Sequence, residues 1–446
     1  MSSSPSGRRR SRREFNRPGA EEEHNNNGFF NDSINSNNAS NNVPPMAAAI
    51  PISGKSTPQE ILKASRQMQQ QQMNNINNMR GIGSMNVLPI TPENNEEVIK
   101  WPKNLINKVV ESMDRKIDKR AGEKYLGNLG WSKGLMNCLF KSCDKIPIRF
   151  YIVDDSGSMN QSDGQRILGV GKDQKLVNGS RWSELMDCIY FAADLAEEIG
   201  APTEFRLLNG SDPVMVGLKD DNAEGLAFLK EVCSEDPAGQ TPLCYHVRGV
   251  VDAIRTIEDS LRKKGQRAAV IICSDGESTD GDVASALKPL EDLPALAVVR
   301  LCTNDKPVCD YWDGIDRKLE LEMDVIADIT EEATQVYQYN PWLTFSLPMH
   351  RMREFGASSK DMDLIDERLL SPEQMLSVVS VVLMDGNKNT LPHPEVSWPS
   401  FKAAVLNSTA ADVFDPRMKV VCRPVNLQKL QNDYGPNKGS SACNIS

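Results

Sequence analysis

The chain has 446 residues, a formal net charge of −10 and 39% hydrophobic residues, which leaves room for one or two folded domains beside irregular segments. No apolar run reaches 18 residues, so no membrane-crossing helix is expected, and residues 1–10 lack the apolar core of a secretory signal, so a cytoplasmic location is expected. The ten cysteines form no C-x-x-C pair, and several, including Cys273 and Cys302, lie in apolar runs; they read as buried thiols, not as disulfides or zinc ligands.

Residues 1–95 read as a disordered arm. Arg8, Arg9, Arg10, Arg12 and Arg13 form a basic cluster, followed by Asn- and Gln-rich sequence that buries too little apolar area to offset chain entropy. The arginines read as a solvated tail, with a nuclear signal or a contact for anionic lipid as the other readings. Residues 96–145 have a helical texture, with Trp101, Leu105, Val109 and Met113 recurring every four residues and Trp131, Leu135, Met136 and Leu139 following. They read as a helical segment leading into the domain and packed on it.

Across 146–345, apolar strand-like runs alternate with amphipathic helices. Strands are expected at 146–153, 204–208, 213–217, 268–273 and 295–301, the second and third as a pair. Helices are expected from Arg181, with apolar residues at 182, 185, 186, 189, 193 and 196, and from Pro242, with Leu243, Val247, Val250 and Ile254 on one face. The 268–273 and 295–301 runs are continuously apolar, as in strands covered on both faces. The alternation predicts an α/β fold with a mainly parallel sheet between helical layers. The turn signals Asp163-Gly164 and Asn178-Gly179 predict a hairpin-like excursion within 160–180. Residues 346–430 read as a helical extension, with a capping box at Ser371-Pro-Glu-Gln374 and another start at Ser397-Trp-Pro399, and 431–446 as a flexible tail.

The chemistry concentrates where the first strand ends, at Asp154-Asp-Ser156-Gly-Ser158. One carboxylate and two hydroxyls at alternate positions suit a hard cation, and Gly157 lets the loop curl so that they converge. Thr241 stands in the loop before the second long helix, and Asp275 ends the 268–273 run. In an open parallel sheet these junctions share the carboxyl edge, where ligands bind. The three loops, in this order, resemble the metal loops of von Willebrand factor A (vWA) domains. The resemblance covers roughly the 200 residues of 146–345. It implies a Rossmann-like, doubly wound fold of the intracellular kind, with a metal-ion-dependent adhesion site. It further implies direct ligation by Ser156 and Ser158, largely water-mediated contacts from Asp154 and Asp275, and direct or water-mediated contact from Thr241. Hydroxyls, carboxylates and retained waters favour Mg²⁺, or Mn²⁺ in its place. The implied function is metal-dependent binding of a protein partner that presents Glu or Asp to the open coordination position. A metal-dependent hydrolase and a metal-free scaffold are the alternatives, and the hydroxyls and Thr241 could serve only as loop and helix caps.

Asp155 reads as a solvated carboxylate or a loop hydrogen-bond acceptor. Gly169-Val-Gly171-Lys172-Asp173 fails the spacing of a phosphate loop. None of the four histidines stands in a triad context with Ser156 or Ser158, so no catalysis is expected. The acidic folded portion speaks against nucleic acid. Cys443-Asn-Ile-Ser446 matches a prenylation box, so Cys443 and the N-terminal arginines together could hold the protein at a membrane surface.

Overall fold

The computed structural model describes residues 98–210, 212–219, 224–357 and 359–436. The arm over 1–95, its arginines and Cys443 lie outside them. Three helices come first: α1 (Lys103–Met113), α2 (Lys119–Asn128) and α3 (Lys133–Lys145). The four-residue recurrences mark the buried stripes of α1 (Val109, Met113) and α3 (Leu135, Leu139). The helix α2 gave no such signal, because it is mostly polar and buries only Gly122 and Leu126.

The strand β1 (Ile148–Val153) leads to an antiparallel hairpin of β2 (Gly164–Leu168) and β3 (Lys175–Gly179). Gly164 pairs with Gly179, so the two turn signals mark the base of the excursion; its tip is the stretch 169–174. The helix α4 (Arg181–Ile199) starts at Ser180, whose hydroxyl accepts the Ser183 N–H. Then come β4 (Thr203–Leu207), β5 (Val214–Val216), α5 (Glu224–Val232), α6 (Leu243–Lys264), β6 (Ala268–Ser274), α7 (Val283–Leu287), β7 (Ala295–Leu301), α8 (Lys306–Lys318), β8 (Met323–Ile326) and α9 (Ile329–Tyr339). Beyond them lie α10 (Leu347–Glu354), α11 (Pro372–Leu383), α12 (Trp398–Leu406), the ribbon β9 (Val413–Asp415) and β10 (Val420–Cys422), and α13 (Leu427–Tyr434). The expected capping box opens α11: Ser371 accepts the Gln374 N–H, and Gln374 accepts the Ser371 N–H.

The six-stranded sheet has the order β5-β4-β1-β6-β7-β8. Every pairing is parallel except β4 with β5. The chain leaves β1 to one side for β4 and returns on its other side for β6. The strand order therefore reverses at β1, whose carboxyl end is the topological switch point.

The two faces of β1 differ. Ile148, Phe150 and Ile152 join an apolar core with α1, α6, α7 and α8. The opposite face carries Arg149 and Tyr151, and β7 adds Arg300, all nearly inaccessible to solvent. The helix α10 meets them with backbone and charge. Arg149 Nε donates to the Phe355 carbonyl at 2.8 Å and its guanidinium lies over the Phe355 ring, while the Tyr151 hydroxyl donates to the Glu354 carbonyl at 2.8 Å. Arg300 is ion-paired to both Glu184 of α4 and Glu354. Burial pushes the Glu354 carboxyl up, but Arg351, then His350 and Arg300, hold it well below its ordinary value. Arg353 of the same helix reaches Glu332, Asp324 and Asp366. A helix of sequence LPMHRMRE thus fills a core position by pairing its charges.

No helix among the described residues is long and apolar enough to cross a membrane. All nine described cysteines are free, and burial raises the Cys188, Cys273 and Cys302 thiols above their ordinary value.

Candidate metal centre

Asp154 leaves the end of β1 with its backbone N–H on the Cys273 carbonyl, which continues the β1–β6 ladder by one bond. Its carboxylate is fully buried: Oδ1 accepts the Ser156 N–H at 2.9 Å, and Oδ2 accepts the Ser274 hydroxyl at 2.6 Å. Burial is the main cause of its raised pKa, opposed by the hydrogen bonds from Ser156 and Ser274. Ser156 Oγ lies 3.0 Å from Ser158 Oγ, which donates to Asp275 Oδ1 at 2.8 Å. Three of the five expected residues therefore form one short chain of oxygens, and Asp154 joins it through the Ser156 backbone N–H. Thr241 is held at the same edge by backbone bonds: Gly157 N–H donates to the Gly239 carbonyl, and Thr279 N–H to the Thr241 carbonyl. No hydrogen bond joins the Thr241 side chain to the other four.

Thr241 does not cap the helix it precedes. Asp280 does, its two carboxylate oxygens accepting the Cys244 and Tyr245 N–H groups at 2.9 and 2.8 Å. Asp155 is not solvated. It is buried and accepts both the backbone and side-chain N–H of Asn209, at 2.7 and 3.0 Å. Asn209 was invisible as a functional residue in the sequence. Its side chain also donates to the Gln240 carbonyl at 2.7 Å and accepts the Gln240 N–H at 3.2 Å, which ties the loops after β1, after β4 and before α6 together. Gly239 occupies φ +105°, and a Cβ there would meet Asn209 Oδ1 at 2.3 Å, so only glycine fits this knot.

Two further residues belong to the site. Arg181, the first residue of α4, donates from Nη1 to Asp275 Oδ2 at 2.8 Å and grips Asp163 through Nε and Nη2 at 2.7 and 2.6 Å. The Asp163 bond is the chief reason its guanidinium lies above its ordinary value, and Arg181 in turn lowers Asp163. Their spacing of 18 residues gave no signal, because only the closed hairpin brings them together.

The donor set suits an octahedral oxygen shell. Metal–oxygen bonds of about 2.0–2.1 Å place adjacent ligands about 3 Å apart, matching the 3.0 Å separation of Ser156 and Ser158, the two expected direct ligands. A different cluster, Glu373, His393 and Glu395, is less apt. His393 Nδ1 accepts the Glu395 N–H at 3.3 Å, so the neutral ring carries its proton on Nε2, the nitrogen facing Glu373, and offers no lone pair there.

Neither buried histidine is hydrogen-bonded to the serines. His350 Nε2 sits 3.2 Å from Glu354 Oε1 without hydrogen-bond geometry, and His246 Nε2 sits 3.2 Å from the Leu208 carbonyl. Burial, with Arg206 adding repulsion, pushes His246 down from 6.5 to about 4. The unfolded chain therefore takes up this proton first as pH falls. The neutral ring's contribution is complete above the unfolded value and lost between pH 6.5 and 4, in total about 3 kcal/mol. Urea unfolding at pH 7 and 4.5 should show a smaller loss for His246→Gln than for wild type; equal losses would refute this assignment.

No protein-family model and no curated protein matches the chain. Among solved structures, the conserved hypothetical protein BatB from Bacteroides thetaiotaomicron is similar, at 15% identity over 47% of this chain and 99% of that one, with a TM-score of 0.28.

Proposed function

We propose that this is a vWA-type protein-binding module whose metal edge is formed by Asp154, Ser156, Ser158, Thr241 and Asp275. The observation that carries the reading is the continuous oxygen chain Ser156–Ser158–Asp275 at the switch point of a parallel sheet. A bound Mg²⁺ or Mn²⁺ would supply an electrophilic centre for a partner's Glu or Asp. Ser156 and Ser158 would offer neutral oxygens, which leaves the ion short of negative charge. Asp154, locked by Ser274 and the Ser156 N–H, would contribute charge without moving. Asp155 and Asn209 keep the three loops in register, so the donors are already in place before a partner arrives.

The metal-free scaffold has an observation of its own in its favour. The Arg181–Asp275 pair and the hydroxyl chain already satisfy one another. Melting curves separate the two readings. Metal that binds only the folded state adds about 2.7 kcal/mol at a hundredfold excess over Kd. The melting temperature should rise with millimolar Mg²⁺ or Mn²⁺ and the rise should vanish in Asp154→Ala. Unchanged curves for wild type would favour the scaffold.

A further inference from the structure

We infer that Arg181 is a resident counter-cation of the metal edge, fixed there by the 164–179 hairpin, and that it holds the site's affinity for divalent cations down until a partner's carboxylate arrives. The inference rests on the metal-binding reading and adds a regulatory residue to it.

Helix stability does not explain the placement. A cation in the first turn of a helix opposes the helix dipole, yet Arg181 is the first residue of α4 and its side chain is only 9% exposed. The surroundings are built to keep it there. Its backbone N–H donates to the Gln161 carbonyl at 2.9 Å, and the Gly164–Gly179 pairing closes the hairpin so that Asp163 lies beside it. Three guanidinium bonds, two to Asp163 and one to Asp275, leave it no freedom to swing away.

Asp154 and Asp275 bring two negative charges to the oxygen cluster, the half-exposed Asp163 adds a third farther out, and Arg181 sets one positive charge between Asp163 and Asp275. Asp275 Oδ2 is engaged by Arg181, so Oδ1, already paired with Ser158, is the oxygen left to face an ion. Arg181 therefore acts in two opposing ways. It fixes the Asp275 rotamer, worth at most about fivefold in affinity, and it repels a divalent cation across one carboxylate, worth about tenfold even with water-like screening and more in a partly buried site. Repulsion wins. A partner's acid brings negative charge of its own, so ion and partner should each tighten the other's binding by the same factor.

The test is Mn²⁺ titration of the full chain, followed by the loss of the free-ion paramagnetic resonance signal. Arg181→Gln should bind Mn²⁺ about tenfold more tightly than wild type. Arg181→Lys, which keeps the charge, should stay near wild type. Asp163→Asn, which leaves the guanidinium less compensated, should bind more weakly. Without metal, Arg181→Gln should melt below wild type and recover in excess Mn²⁺. Weaker or unchanged Mn²⁺ binding by a folded Arg181→Gln protein would overturn the inference while sparing the metal site. Should that variant not fold, unchanged or tighter binding by Asp163→Asn overturns it equally. Binding by Arg181→Gln alone would support it and show that the wild-type site is closed to metal. Binding by no protein, wild type included, would end both proposals.

Discussion

Arg353→Leu is expected to lower the unfolding free energy by about 3–5 kcal/mol, measured by urea denaturation at neutral pH. The guanidinium lies in a pocket with Glu332, Asp366 and Asp324, the first two without solvent exposure. Burial opposes its charge, but these three carboxylates together raise it well above its ordinary value. Leucine fills much of the volume and removes the charge that balances the acids, and it is this imbalance that costs stability. Arg353→Lys keeps the charge and loses the planar fork, so its loss should be clearly smaller. Equal losses for Leu and Lys would show that shape, not charge, holds α10 in place.

Gly134→Ala should have the next largest effect, about 2–4 kcal/mol from overpacking and a strained backbone hydrogen bond. A Cβ at this position would lie 2.2 Å from the Val381 carbonyl oxygen, on the backbone of α11. Around it Gly134 N–H donates to the Met384 carbonyl at 2.9 Å, the Ser132 hydroxyl to Val381 O, and the Asn137 amide to Asp385 O. The N-terminal α3 and the C-terminal α11 are therefore docked backbone to backbone. A methyl group must push them apart. Thermal unfolding of Gly134→Ala, beside Gly127→Ala on α2 where a Cβ meets nothing nearer than 3.8 Å, checks the prediction. Similar shifts for both would mean that helix propensity, not the clash, governs the response.

The elements legible in the sequence were those whose burial follows from their own pattern. β1, β6 and β7 read as strands because apolar residues fill them, and α4 and α6 showed a helical stripe. β8, a four-residue MDVI carrying Asp324, was too short to register. α10 could not be read as core, since its charges are balanced by Arg300, Glu332 and Asp366 on other elements, which only the fold brings to it. The candidate site divides in the same way. Asp154, Ser156, Ser158, Thr241 and Asp275 stand at junctions that strand and helix patterns mark. Asn209, Asp163 and Arg181 act through partners that only the fold supplies, and so does Ser274, which lies one residue beyond the strand expected at 268–273 and fastens Asp154.

The dependence of β1 on α10 also sets an order for the protein's manufacture. Arg149 and Tyr151 find their carbonyl partners at Phe355 and Glu354, more than two hundred residues downstream. While a ribosome is still making the middle of the chain, β1 can pair with β4 and β6 but must leave a guanidinium and a phenol without their final partners. Domains fold as units during synthesis, and here the unit is not complete until α10 has emerged. Up to that point the nascent sheet exposes one finished and one unfinished face, and the unfinished one is the face a chaperone would meet.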